Sequence, residues 1–74
     1  MSRIKLGDLV RFMAINGEWE TLFNKTGLVV SKPKEKSFKI PLDIISIEVV
    51  VDVLVDDRVY EDVRITVLEK KPRY

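Results

Sequence analysis

Two clusters of side chains invite a chemical reading. The first is acidic. Asp56-Asp57 and Glu61-Asp62 are adjacent carboxylates of the kind used in general acid–base work, and Asp52 with Asp56 and Asp57 offers the oxygen ligands a hard divalent ion prefers. The second is basic. Lys32, Lys34, Lys36 and Lys39 crowd around Phe38 with only Glu35 opposing them, a combination able to touch phosphates and stack on a base. Each has a plainer account. Side chains adjacent on a strand point to opposite faces, so neither acidic pair shares a proton easily, and turn residues or a solvated edge explain them. The spacing of a calcium loop is missing. Lysines also make a soluble hairpin loop or guard an exposed strand edge. Nucleophilic catalysis lacks its partners: the chain has no cysteine and no histidine to activate Ser2, Ser31, Ser37 or Ser46. The expectation is a chain that is not an enzyme, with no catalytic residue, no metal site and no cofactor.

What remains is the chemistry of contact. Trp19 and Phe23 lie in a connector, where a large aromatic is either a protein-binding anchor or a lid on the open end of a small barrel. Val50 and Leu54 fall on the second face of an otherwise alternating strand, and Leu9–Ile15 is apolar on both faces apart from Arg11. A domain of 74 residues has little interior in which to bury all of these. This apolar excess points to other proteins as partners, either further copies of the chain or a larger assembly, with Trp19, Phe23, Val50 and Leu54 as contact residues. Nucleic acid, held by Lys32, Lys34, Lys36, Phe38 and Lys39, is the alternative partner.

Composition limits the setting. The absence of cysteine excludes disulfides and thiolate metal sites and suits a protein made in a reducing compartment. Arg3 and Lys5 interrupt any apolar run after Met1, so no signal peptide is expected. No stretch approaches the roughly 18–20 consecutive apolar residues of a membrane helix, so no membrane partner is expected. The net charge is +1, yet residues 43–62 hold seven acids and one base, −6, against +7 on the remainder. Such a division suits a charged partner, or the interleaving of opposite signs on neighbouring strands.

The elements that must position these groups are short. Residues 1–6 read as an arm. Gly7-Asp8 enters a first strand, Leu9–Ile15, and Asn16-Gly17 is a turn signal. Trp19, Leu22 and Phe23 are spaced for a single helical turn within the connector 18–25. A second strand covers 28–32, a basic turn 32–37, and a short strand 38–40. From Ile45 to Val55 every odd position is β-branched, the alternation of a strand with one buried face. Eleven residues at about 3.3 Å each exceed the width of a small domain, so this strand must bend, break near Ser46 or project as an arm. Asp56-Asp57 is a two-residue hairpin turn into 58–61. Asp62-Val63 turns the chain, 65–68 is the final strand, and 70–74 is a basic tail.

This order resembles the small SH3-like barrels of the KOW- and Tudor-like group. Gly7-Asp8-Leu9-Val10-Arg11 is similar to their entry to the first strand. Thr26-Gly27-Leu28-Val29-Val30 is similar to their second strand, and 51–60 to their third and fourth with the tight turn between. The resemblance covers about residues 7–69. It implies an all-β fold, a single SH3-like barrel of about five antiparallel strands. Because such small barrels are frequent among proteins of tailed bacteriophages, it also implies a phage virion or assembly accessory protein in the host cytoplasm or the virion. A regulatory inhibitor of a host protein is the other expectation of that kind. The first loop, Asn16-Gly17-Glu18-Trp19-Glu20, is acidic where an RNA-binding KOW module is basic.

Overall fold

The computed structural model describes residues 4–15, 17–40 and 44–71. Six strands form one antiparallel sheet: β1 (Leu9–Phe12), β2 (Thr26–Val29), β3 (Lys34–Ile40), β4 (Ile44–Val55), β5 (Arg58–Arg64) and β6 (Leu68–Lys70). Single 3₁₀ turns lie at Glu20–Leu22 and Ile65–Val67. The sheet curls into a half-barrel, so the all-β expectation holds, with six strands where about five were expected. The asparagine of the Asn16-Gly17 turn and the break at 41–43 lie outside the described residues, as do 1–3 and 72–74.

β4 organises the sheet. Val50 faces Lys34 of β3 on one side and Arg64 of β5 on the other, while Leu54 faces Leu28 of β2 and Val59 of β5. β3 and β2 therefore follow each other along one edge of β4, and β5 takes the opposite edge. β1 bridges β2 and β6 through Leu9↔Leu28 and Phe12↔Leu68. The concave side holds the core, in which Val10, Phe12, Val29, Val51, Val53, Val55 and Val63 are buried with Ile4, Leu22 and Leu68. Ile4 thus belongs to the body, although residues 1–6 read as an arm.

Turn chemistry explains the local geometry. Asp56 and Asp57 take φ 48° and 69°, both left-handed, as a two-residue hairpin of the primed type requires. Asp8 is buried and closes the entry turn, its carboxylate accepting the Lys5 N–H at 2.9 Å with the Lys70 ammonium 3.5 Å away. The chain turns at Ile65–Val67 rather than at Asp62-Val63, which lie inside β5. There a bulge sets Glu61 and Asp62 opposite Asp52 alone: Tyr60 pairs Val53, Val63 pairs Val51, and Asp62 has φ 55°. The Asp62 N–H donates to Asp52 Oδ1 at 3.1 Å, holding the bulge in place.

Of the three fates open to the long strand, it projects. The body is 23–24 Å across and the long axis 44 Å. Beyond Val50, among the described residues, only β3 pairs with β4, so 34–40 and 44–50 form a two-stranded ribbon. The odd-position stripe that builds the core at Val51, Val53 and Val55 continues along it as Val49, Ile47 and Ile45, leaving Ile47 65% and Ile45 66% exposed.

Candidate functional site

Cross-strand register assembles a surface that no single segment carries. Leu9 lies directly opposite Leu28, Leu28 opposite Leu54, and Leu54 opposite Val59. Residues directly opposite in an antiparallel ladder share a face, so four aliphatic side chains form one row across β1, β2, β4 and β5. The neighbouring positions Val10, Gly27, Val29 and Val53 point to the concave core, which sets this row on the convex side. Leu9, Leu28 and Val59 are exposed and Leu54 half-buried, with Val30 also exposed two positions after Leu28. Polar groups border it. Arg11 bonds Glu69 at 2.6 Å, and the Lys71 ammonium lies 3.3 Å from Thr26 Oγ1.

The contact residues expected from sequence are dispersed. Leu54 sits at the centre of the row. Val50 does not reach the surface: it is fully buried, flanked on its own face by Lys34 and Arg64, so its assignment as a contact residue is corrected. Trp19 is half-buried against the core, 6.4 Å from the Phe12 ring and 5.8 Å edge-on to Tyr60. This packing on Phe12 and Tyr60 ties the connector to the core. Phe23, next to the 3₁₀ turn, remains 47% exposed. Phe12, Trp19 and Tyr60 pack on one another, and Phe12 is wholly buried.

The basic cluster is a strand where a turn was expected, and alternation divides it. Lys34, Lys36 and Phe38 share the even face of the ribbon, Lys39 takes the odd face, and Lys32 precedes the strand. On the even face Asp62 meets Lys36 at 2.5 Å and Lys34 at 3.3 Å, while Arg64 bonds Glu48 at 3.2 Å. Arg64 and Lys36 lie 5.3 and 5.7 Å from the Phe38 ring centre. Hydrogen bonds from Lys36 and Lys34 hold the Asp62 carboxyl below its ordinary range, and the bond to Asp62 raises Lys34. Three cations thus meet acids of the 43–62 segment on one face. The charge division seen in the sequence is reunited across strands, with Lys25–Asp56 at 3.7 Å a further example.

Sequence reasoning missed Leu9, Leu28 and Val59. The signal was present as apolar residues at alternate positions facing away from the core, but only the register aligns them. Among the described residues no group of three or more acidic, histidine or cysteine side chains is placed to hold a metal ion, and no helix is long and apolar enough to cross a membrane. An apolar cavity of about 330 Å³ lies at the ribbon's base, lined by Ile4, Pro33, Val49 and Ile65. No family model matches the chain, and neither a curated protein nor a solved structure matches it.

Proposed function

We propose that this chain is a non-enzymatic protein-interaction module that docks a partner protein on the row Leu9–Leu28–Leu54–Val59. The observation that carries the reading is the directly opposed register of these four residues on the convex face. Contiguous exposed apolar surface rimmed by polar groups is what protein interfaces use, whereas singly scattered leucines are not. Within this class the role is that of a small SH3-like accessory protein of a phage virion or its assembly, with a host protein as target in the regulatory variant. Support for that narrower role comes from the likeness of residues 7–11, 26–30 and 51–60 to such barrels, and from the order of strands and turns they fall in. The pairing of Lys34 and Lys36 with Asp62 favours a protein partner over nucleic acid, because a phosphate would have to displace an intramolecular carboxylate.

The test is a pull-down from source lysate with the unmodified chain and with Leu28→Glu, each with and without nuclease. A partner in fixed ratio that survives nuclease and is lost with Leu28→Glu is the expected result. Capture abolished by nuclease and indifferent to Leu28→Glu would transfer the function to the lysines of β3.

A further inference from the structure

We propose that the β3–β4 ribbon is a self-pairing arm, and that its partner is the β4 strand of a second copy of this chain. The surface is distinct from the convex row and the argument does not depend on it. β5 ends opposite Val50, so among the described residues no strand pairs with residues 44–49 along the edge of β4 that faces away from β3. A two-stranded ribbon exposed to water on both faces is marginal alone, and three or more strands sharing an apolar face are the stable alternative. The open edge is apolar: Ile44, Ile45 and Ile47 are each more than half exposed, and Glu48 is the only charge between Ile44 and Val49. The opposite edge of the ribbon belongs to β3, where lysines at 34, 36 and 39 oppose such pairing.

The sequence of this edge is self-complementary. Two copies related by a two-fold axis perpendicular to the sheet must pair residues of the same face, so the axis passes through a residue. Through Ile47, the register sets Ile47 against Ile47 and Ile45 against Val49 twice on the odd face. On the even face it sets Ser46 against Glu48 twice, and Ile44 leaves the ladder there, because Arg64 of β5 already holds the edge of Val50. Moving the axis to Glu48 would oppose two carboxylates, and moving it to Ser46 would oppose Ile44 to Glu48, both less favourable. The same register has a second consequence. Val49 lines the cavity formed with Ile4, Pro33 and Ile65, so Ile45 of each copy, set opposite Val49, arrives beside the cavity of the other. One geometry therefore extends the sheet, sets the exposed halves of the two odd-face stripes side by side and brings Ile45 of each copy against the cavity of the other. A second copy fits these features together, where an unrelated strand would meet only the edge.

The chain has no cysteine, which makes the test direct. In the full chain Ile47→Cys places two thiols across the axis, with Cα atoms about 4.5–5.5 Å apart, inside disulfide range. Ile45→Cys places its two thiols about 13 Å apart, four residues along the strand. Under mild oxidation Ile47→Cys is expected to give a covalent dimer and Ile45→Cys to stay monomeric. Sedimentation equilibrium of the unmodified chain between about 10 μM and 1 mM is expected to show reversible dimers, and Ile47→Lys to weaken them by about 30-fold or more with the circular dichroism unchanged. A chain monomeric throughout that range, equal cross-linking of both cysteine variants, or dimers indifferent to Ile47→Lys would each overturn the proposal. None of these outcomes bears on Leu28→Glu, so the two surfaces stand or fall separately.

Discussion

Replacing Gly27 with alanine tests the closeness of β2 to β4, on which the convex row depends. A methyl group on Gly27 would sit 2.5 Å from Val53 Cγ1, 2.8 Å from Val55 Cγ2 and 3.0 Å from the Leu54 carbonyl oxygen. None of these is the free end of a long side chain. Valine is stiff at χ1, and both valines are buried, so relief must come from moving the strands apart. Overpacking of this kind costs about 1–3 kcal/mol, and alanine regains about 0.5–1 kcal/mol of unfolded-state entropy relative to glycine. Contacts of 2.5 and 2.8 Å put the cost in the upper part of that range, about 2–3 kcal/mol, so the net loss is about 1–2.5 kcal/mol, from a total of about 4–11 kcal/mol for a chain of this size. At about 4–8 °C per kcal/mol, Tm should fall by about 4–20 °C. Urea and thermal unfolding followed by circular dichroism would measure it. Val53→Ala removes the nearest obstacle, so Gly27→Ala with Val53→Ala should be less damaging than the sum of the two by about 1 kcal/mol. A Gly27→Ala protein as stable as the parent, or strict additivity in the pair, would refute the packing argument.

Three further outcomes are expected. Trp19→Ala should cost about 2–3 kcal/mol in unfolding free energy, below the range for a wholly buried tryptophan because Trp19 is half-buried between Phe12 and Tyr60; unchanged denaturant midpoints would return it to the surface role. Asp57→Gly should raise stability by about 1 kcal/mol, since glycine accepts φ 69° without the cost an L side chain bears there, and thermal melts would show it. Asp62 has its carboxyl lowered in the folded state, so its contribution is present above the unfolded pKa and is lost as pH falls through the folded value. Asp62→Asn should therefore flatten the acid side of a stability–pH profile, while the raised Lys34 loses its share only as pH rises beyond its ordinary range. An acid limb identical in the two proteins would remove Asp62 from that role.

How much was legible in the sequence varied with the range of the interaction. The alternation at 45–55 is local and marked both the strand and its core face. The Asp56-Asp57 turn was readable because its length alone selects a left-handed pair. The length of β4 against the width of a small body was enough to raise a projecting arm as one of three outcomes. Register was not legible. The bulge at Glu61-Asp62 depends on the Asp52 side chain ten residues earlier, and it carries β5 three residues past its expected end. Val50 looked like a surface position because it shares the even face of the strand with Ser46, Glu48 and Asp52, yet it is fully buried between β3 and β5. The convex row needed three register relations at once, none of them encoded in neighbouring residues.

The placement of β1 between β2 and β6 has a consequence for biosynthesis. Arg11 bonds Glu69 across 58 residues, and Phe12 pairs with Leu68. At about 5–20 residues per second, β1 leaves the ribosome about 3–12 s before its second neighbour exists. The β3–β4 and β4–β5 hairpins are local and can form while β1 waits with one edge unpaired. Closing that span also carries an entropic cost of roughly 3–4 kcal/mol. The nascent chain is therefore most prone to misassociation in the interval before residues 68–70 emerge, and a pause in translation there would prolong the exposure of that β1 edge.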